Sequence, residues 1–334
     1  MAIRLLPALL LLAATPISQA APTLYGKLNL AVQQSDDGTT ARGSYSEVAS
    51  YASRFGLKGD SELADGWGVF YKLEFQVNID DDEGDALDSR DQYVGLSTPA
   101  GDVMIGRRNT IFKEANNGAD QFGDVEGDIK YLFAGDNRLG DNITWKSPIW
   151  NQLQLGATVI MGDNSKQKDK EDGDEGYNLA LFYGDKSLKK QPLWGAVAYE
   201  DGVAGYSNTV LVGRAALGDW QFGAMWQNTE DSESNDDESG YMVNVAYLME
   251  AWTFKAQYMA SDLYKIGYTK RKDEDGNKLG FQSGSSIGVD YSFNKTTSAY
   301  LWYTINEKPE SSYRDTAVHN DDASYLALGM IHKF

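Results

Sequence analysis

The sequence predicts an all-β chain closed into a 16-stranded antiparallel transmembrane β-barrel. Three observations carry that prediction: a closing segment that alternates apolar and polar residues, the same alternation in fifteen earlier segments, and connections that alternate short and long. The last ten residues read YLALGMIHKF. Leu326, Leu328, Met330, His332 and Phe334 share one face, and Tyr325, Ala327, Gly329, Ile331 and Lys333 share the other. Side chains of a strand point alternately to opposite faces, so such a segment presents one apolar face along its length. In a bilayer that face meets lipid, with the final aromatic at the interface. A terminal strand of a soluble sheet has the same pattern, so the remaining segments decide.

Sixteen such segments are expected, at roughly 23–33, 52–60, 67–78, 90–98, 102–108, 138–146, 153–162, 177–184, 193–200, 209–217, 220–229, 240–248, 252–260, 285–293, 297–306 and 324–334. In the third, Trp67, Val69, Tyr71, Leu73, Phe75 and Val77 oppose Lys72, Glu74 and Gln76. In the eleventh, Trp220, Phe222, Ala224 and Trp226 oppose Gln221, Gly223 and Gln227. Aromatics fall mainly near strand ends, as two interfacial girdles require. The polar face carries Gly, Ala, Asn, Ser and Gln with a few cations, which suits a wet lumen better than bulk solvent.

Short connections (61–66, 98–101, 147–152, 217–220, 250–251, 294–296) alternate with long ones (35–51, 79–89, 109–137, 162–176, 229–239, 261–284, 307–323). One pair breaks the rule, since 185–192 and 201–208 are about equal. A meander with short turns at one end and long loops at the other describes an outer-membrane barrel, with both termini at the short-turn, periplasmic end.

Composition bounds the rest. Residues 1–20 hold one positive charge, Arg4, an apolar run from Leu5 to Ala14 and the small-residue site Ser18-Gln19-Ala20, so they read as a secretory signal peptide cleaved after Ala20. Residues 21–334 then form one transmembrane barrel domain. The apolar run is too short to span a bilayer as a helix. There is no cysteine, so an exported chain of this length needs a large core or a closed sheet. The 34 Gly, 20 Tyr, 8 Trp and 12 Phe against 7 Pro favour strands and tight turns. The formal charge of −19, or −20 without Arg4, argues against nucleic-acid binding. Acidic runs in the long loops (Asp80 to Asp85, Asp169 to Glu175, Glu230 to Glu238) read either as solvated surface or as carboxylates bridged by divalent cations to anionic surface glycolipid. Asp273-Glu274-Asp275-Gly276-Asn277 lacks calcium-loop spacing.

Catalysis is not expected. Of the two histidines, His332 shares a face with Phe334, and His319 sits in an outer loop beside Asn320, Asp321 and Asp322. Neither has a nucleophile-elbow partner, and no cofactor or metal set is apparent.

Leu24-Tyr25-Gly26-Lys27, Arg54-Phe55-Gly56-Leu57-Lys58-Gly59, Val94-Gly95-Leu96, Ile105-Gly106-Arg107 and the closing aromatic stand in this order and spacing. With them, the chain from Thr23 to Phe334 resembles a general-diffusion porin of the Gram-negative outer membrane. The resemblance implies a homotrimer of sixteen-stranded barrels in outer-membrane lipid and lipopolysaccharide, placed there by the barrel-assembly machinery. It also implies a third long loop folded into the pore. Lys27, Arg54, Lys58, Arg90 and Arg138 then fall where the family's basic wall is expected. Their parity agrees: Lys27 opposes Leu24, Leu28 and Leu30, Arg54 and Lys58 oppose Phe55 and Leu57, Arg90 opposes Tyr93, and Arg138 opposes Leu139, Ile143 and Trp145. The facing acids on the third loop would be Glu114, Asp120, Asp124, Glu126 and Asp128. Many family members carry Pro-Glu-Phe-Gly-Gly at the loop tip, whereas here the sequence is Gln121-Phe122-Gly123-Asp124, which leaves Asp120 or Asp124 as the constriction acid.

A transverse field of this kind orders water and penalises apolar solutes. The expected function is passive diffusion of small hydrophilic solutes and ions, with mild cation selectivity from the net charge. The alternatives are a sugar- or oligosaccharide-specific channel, drawing on Phe70, Trp194, Tyr300 and Trp302, or a plugged structural or adhesive barrel.

Overall fold

The computed structural model describes residues 21–38, 43–80, 85–162, 175–272, 278–309 and 322–334. Residues 1–20, read as a signal peptide, His319, the acidic run Asp169 to Glu175 up to Asp174, most of Asp80 to Asp85 and the Asp273 to Asn277 motif lie outside the described residues.

Among the described residues nineteen strand stretches occur in chain order: β1 (Thr23–Asp36), β2 (Ser44–Ser50), β3 (Arg54–Ala64), β4 (Trp67–Val77), β5 (Leu87–Thr98), β6 (Gly101–Asn109), β7 (Arg138–Lys146), β8 (Leu153–Ile160), β9 (Gly176–Gly184), β10 (Leu193–Val203), β11 (Tyr206–Leu217), β12 (Trp220–Asp231), β13 (Asp237–Met249), β14 (Trp252–Ser261), β15 (Arg271–Lys272), β16 (Lys278–Leu279), β17 (Ser283–Ser292), β18 (Thr297–Glu307) and β19 (Ala323–Lys333). All but the small β15–β16 hairpin belong to one antiparallel sheet. β2 and β3 both pair with β1 and form a single wall strand broken at residues 51–53, so the barrel has sixteen strands. It closes where β19 pairs with β1, Lys333 opposite Lys27 and Ser324 opposite Asp36.

The alternation works as expected on the outer face. Leu326, Leu328, Met330 and their counterparts on every strand stay exposed although they are large and apolar, which only a lipid surround makes favourable. Two aromatic belts flank this band. Trp220 with Tyr247 and Trp252 with Tyr291 pack at 4.7 and 4.6 Å near the short-turn end. Tyr177 with Tyr199 and Tyr241 with Tyr258 pack at 6.1 Å near the other. Trp252 and Tyr258 lie six residues apart on β14, about 20 Å of strand.

Three sequence expectations change. Part of the expected 35–51 loop is strand β2, leaving only 37–43 as connection. β10 and β11 run on to a two-residue link, Ala204-Gly205, so the apparently equal pair is a tight turn at the long-loop end and an eight-residue turn at the other. The lumen is not wet throughout. Met225, Met242 and Met259 on adjacent strands, with Phe182, Trp194 and Trp302, face inward and are buried against Ile111, Phe112, Phe122, Ile129 and Phe133 of the β6–β7 connection.

Phe334 closes the seam. Its backbone N–H donates to Gly26 O at 3.1 Å, and the Gly26 N–H donates to Phe334 O at 2.9 Å. Its ring fills the notch left by the missing Cβ of Gly26. Gly26→Val is therefore expected to displace the ring and cost about 1–3 kcal/mol, read as a lower melting temperature and refolding yield in detergent. Unchanged values would show that the ring contributes nothing to closure.

Candidate functional site

The β6–β7 connection, residues 110–137, enters the barrel because it carries its own apolar face and because inward wall side chains satisfy its backbone. Thr110 caps the short helix α1 (Ile111–Asn116), its hydroxyl accepting from the Lys113 N–H at 3.1 Å. Beyond α1, Asn244 donates to Ala119 O (2.7 Å), Gln257 to Gly127 O (3.1 Å), Gln227 to Ala134 O (3.0 Å) and Lys255 to Gln121 O (3.2 Å). The Tyr268 hydroxyl donates to Phe133 O at 2.5 Å. Irregular backbone is tolerated at membrane depth only where protein or lumen water meets its polar groups, and these bonds supply that.

The apolar side of the segment lies against β9 to β19. Its polar side faces β2 to β7 across a cavity of about 560 Å³ lined by Tyr51, Arg54, Arg90 and Arg138 on the wall and Lys113, Asp124, Glu126, Lys130 and Asp136 on the segment. Asp124, held at φ +73°, reaches the wall itself: Lys27 Nζ lies 2.9 Å and Arg54 Nη1 3.6 Å from its carboxylate. Burial alone would raise this carboxyl. Lys27, by charge and hydrogen bond, and then Arg54 and Arg90 outweigh it and hold the group below the usual carboxylate range.

The remaining acids take other places. Asp120 accepts from the Phe122 N–H (2.8 Å), the Ile129 N–H (3.2 Å) and the Gln257 amide (2.9 Å), so it shapes and anchors the tip. Asp128, buried, accepts from the Asp124 and Lys130 N–H groups, each at 2.8 Å. Burial pushes Asp120 upward, and the charge of Asp128 adds to it. Glu126 lines the cavity. Glu114, on α1, stands apart, paired with Arg108 on β6 and with Lys146 on β7 (2.8 Å).

On the wall, Arg54, Arg90 and Arg138 come together, but not as a free ladder. Glu74 and Asp91 are threaded between them. Arg90 Nε is 2.8 Å and Lys72 Nζ 3.2 Å from Glu74, while Lys72 (2.8 Å) and Arg138 (2.9 Å) share Asp91. Lys58 lies outside this network, 5.4 Å from the Tyr25 ring centre, and makes no ion pair among the described residues. A β-bulge explains Asp91. Leu73 pairs with Gln92 but Phe75 with Ser89, so Glu74 faces both Arg90 and Asp91, and both turn inward. The bulge also overturns the expected opposition of Arg90 and Tyr93: the Tyr93 ring is in the lumen, 5.5 Å from the Arg108 guanidinium. A second register shift lies between β6 and β7, where the extra residue is on β7 near Asp141 (φ +47°); Arg108 keeps the inward parity of Met104, and Arg107 bonds to Ser89 O at 3.2 Å. Sequence parity put Lys72 and Glu74 on the inner face without marking them as functional. It had no access to Asp91, and Arg108, on the inner face by the parity of Met104, was not singled out.

The family model for Gram-negative porins matches residues 8–308. The major outer membrane protein P.IB of Neisseria sicca is 24% identical over 338 residues, covering 87% of this chain and 90% of that protein. Among solved structures, the anion-selective porin from Comamonas acidovorans superposes with a TM-score of 0.71 at 18% identity, covering 94% of this chain and 99% of that one. The trimer form of OmpT from Vibrio cholerae superposes with a TM-score of 0.65 at 18% identity, covering 94% and 99%. A closed sixteen-stranded barrel with a lipid-matched exterior, a charged lumen and a family match over most of its length places the chain in the Gram-negative porin family, as a channel protein of the outer membrane.

Proposed function

We propose that this porin passes small hydrophilic solutes and ions passively through the gap between the arginine wall and segment 110–137, and that it works as a homotrimer without catalysing a reaction. The observation that carries this reading is the cavity of about 560 Å³ with Arg54, Arg90 and Arg138 on the wall and, on the segment, the carboxylates Asp124, Glu126 and Asp136 interspersed with Lys113 and Lys130. Opposed charges hold ordered water there, so an apolar solute would have to strip it. Lys27, Arg54, Arg90 and Arg138 form the basic side of the proposed constriction, and Asp124 and Glu126 the acidic side. Of the four aromatics a sugar track would draw on, Phe70 lines a lumen cavity, but Trp194, Tyr300 and Trp302 are 5%, 6% and 2% exposed beneath the segment, which favours a general channel over a sugar-specific one. The trimer form of the OmpT relative supports the oligomeric state. Residues 1–20 are proposed as the export signal, and lipopolysaccharide and the assembly machinery as partners in the membrane.

We place the cation preference in the outer loops, whose acids give the chain its net charge of −19. Their field extends about 30 Å at 0.01 M salt and about 3 Å at 1 M. Planar-bilayer recording of refolded protein is expected to give conductance steps in groups of three, with a cation-sign reversal potential in a dilute KCl gradient that shrinks at 1 M. Absence of steps overturns the channel reading; zero or anion sign in dilute salt overturns the selectivity.

A further inference from the structure

At the constriction each cation is matched by a carboxylate: Lys27 by Asp124, Arg90 by Glu74, Arg138 by Asp91, Lys113 by Asp136. Across the barrel, at the periplasmic mouth, two inward cations are not. Lys186 and Arg214 form no ion pair among the described residues, and both bond only to neutral oxygens. Lys186 Nζ donates to Glu114 O at 3.1 Å and lies 5.6 Å from the Trp194 ring centre. Arg214 Nη1 donates to Lys186 O at 2.9 Å and Nη2 to Gln221 Oε1 at 3.2 Å, while its Nε is buried with no partner.

The turn that presents Lys186 is built for its shape. It is the eight-residue β9–β10 connection, long for this end of the barrel. Asp185 accepts from the backbone N–H groups of Ser187 (2.9 Å), Lys189 (3.0 Å) and Lys190 (2.7 Å) and from the Ser187 hydroxyl (2.8 Å). These donors, the Lys190 N–H foremost, lower its carboxyl to about 2. The charge of Asp185 is thus committed to the turn and not to Lys186. Leu188, at φ +56°, packs against the apolar core under segment 110–137 and pins the turn in the mouth. Nearby, the Glu114 carboxylate already pairs with both Lys146 and Arg108, so Lys186 and Arg214 are left without an ion pair among the described residues.

A guanidinium fixed by two neutral acceptors, with a second cation hydrogen-bonded through its backbone beside it, leaves donors and charge for an oxyanion. The buried Nε keeps part of the Arg214 guanidinium from bulk water, and part of that cost is recovered when an anion arrives. We propose that Lys186 and Arg214 form an anion-binding station at the periplasmic mouth, taking the phosphate or carboxylate group of a solute in transit. The proposal rests on the channel reading and gives the pore opposite signs at its two ends, acidic loops outside and a basic station within.

The test uses the refolded full-length porin in planar bilayers, inorganic phosphate as the probe, and the variants K186Q/R214Q and R214K. Phosphate added to the periplasmic side is expected to reduce the KCl current of the unaltered protein. The half-blocking concentration should rise roughly tenfold or more in K186Q/R214Q, the loss expected for removing two charge-assisted contacts. It should rise by less in R214K, which keeps the charge and loses the fork. R214K also serves if the double variant fails to fold. Equal block in all three proteins, or no block in the unaltered one, overturns the station while KCl conductance persists. Absence of KCl conductance instead removes the channel reading beneath it.

Discussion

Asp120→Ala is expected to free the tip of segment 110–137 and to turn a steady conductance into a larger, noisier one. Asp120 collects two backbone N–H groups, from Phe122 and Ile129, and the Gln257 amide that also holds Gly127 O. Alanine leaves both N–H groups without an acceptor in a tip packed on apolar side chains. Each orphaned donor costs about 1–3 kcal/mol. Even about 2 kcal/mol in total raises the detached population roughly thirtyfold. Gln257 would keep its bond to Gly127, so the tip should loosen on the Phe122 side first. Two measurements check this: current noise in single-channel traces, and protease nicking between residues 110 and 137. A trace as quiet as that of the unaltered protein, with equal resistance to protease, would show that burial of Phe112, Phe122 and Phe133 alone holds the segment.

The barrel was legible because each wall strand separates two media. Lipid outside demands large apolar residues at every second position, and that period survives even where the inner residues vary. The wall cations Lys27, Arg54 and Arg138 were legible for the same reason. The inner face was harder, because it meets both water and protein. Met225, Met242 and Met259 sit at inward positions beside Gln227, Asn244 and Gln257, and nothing local says that Phe122 and Phe133 will cover them. Strand β2 was hidden by the break at residues 51–53, where Ala52 takes φ +51°. Asp91 was hidden by the register shift between β4 and β5, which moves one residue to the other face. Parity holds along a strand only until a bulge, and this bulge borders the proposed constriction. The residue that parity misplaces is therefore one of the two acids that give the wall its alternating charge.

Glu74→Gln is expected to have the largest effect of any single wall substitution. Glu74 is 4% exposed and serves four partners: Arg90 at 2.8 Å, Lys72 at 3.2 Å, Arg54 at 3.8 Å and the Tyr25 hydroxyl, which donates to it at 3.0 Å. Glutamine keeps the volume, removes the charge and turns an amide N–H₂ toward cations. Removing one partner from a buried ion pair costs about 3–5 kcal/mol. Lumen water reaching Arg54 and Lys72 places this case near the lower end, still enough to lower the melting temperature of the refolded barrel measurably. The second readout is selectivity. Arg54, Lys72, Arg90 and Arg138 against Glu74 and Asp91 sum to +2, and the substitution makes this +3. Reversal potentials should move toward anions, and the move should persist at 1 M KCl, where the Debye length is about 3 Å. At that salt the acids of the outer loops are screened from a permeating ion, but an ion squeezed past Arg54 and Arg90 is within contact range of the wall. A shift seen only in dilute salt would assign selectivity to the loops and leave Glu74 a purely structural role. A shift with no loss of melting temperature would mean that water, rather than Glu74, keeps the three cations apart.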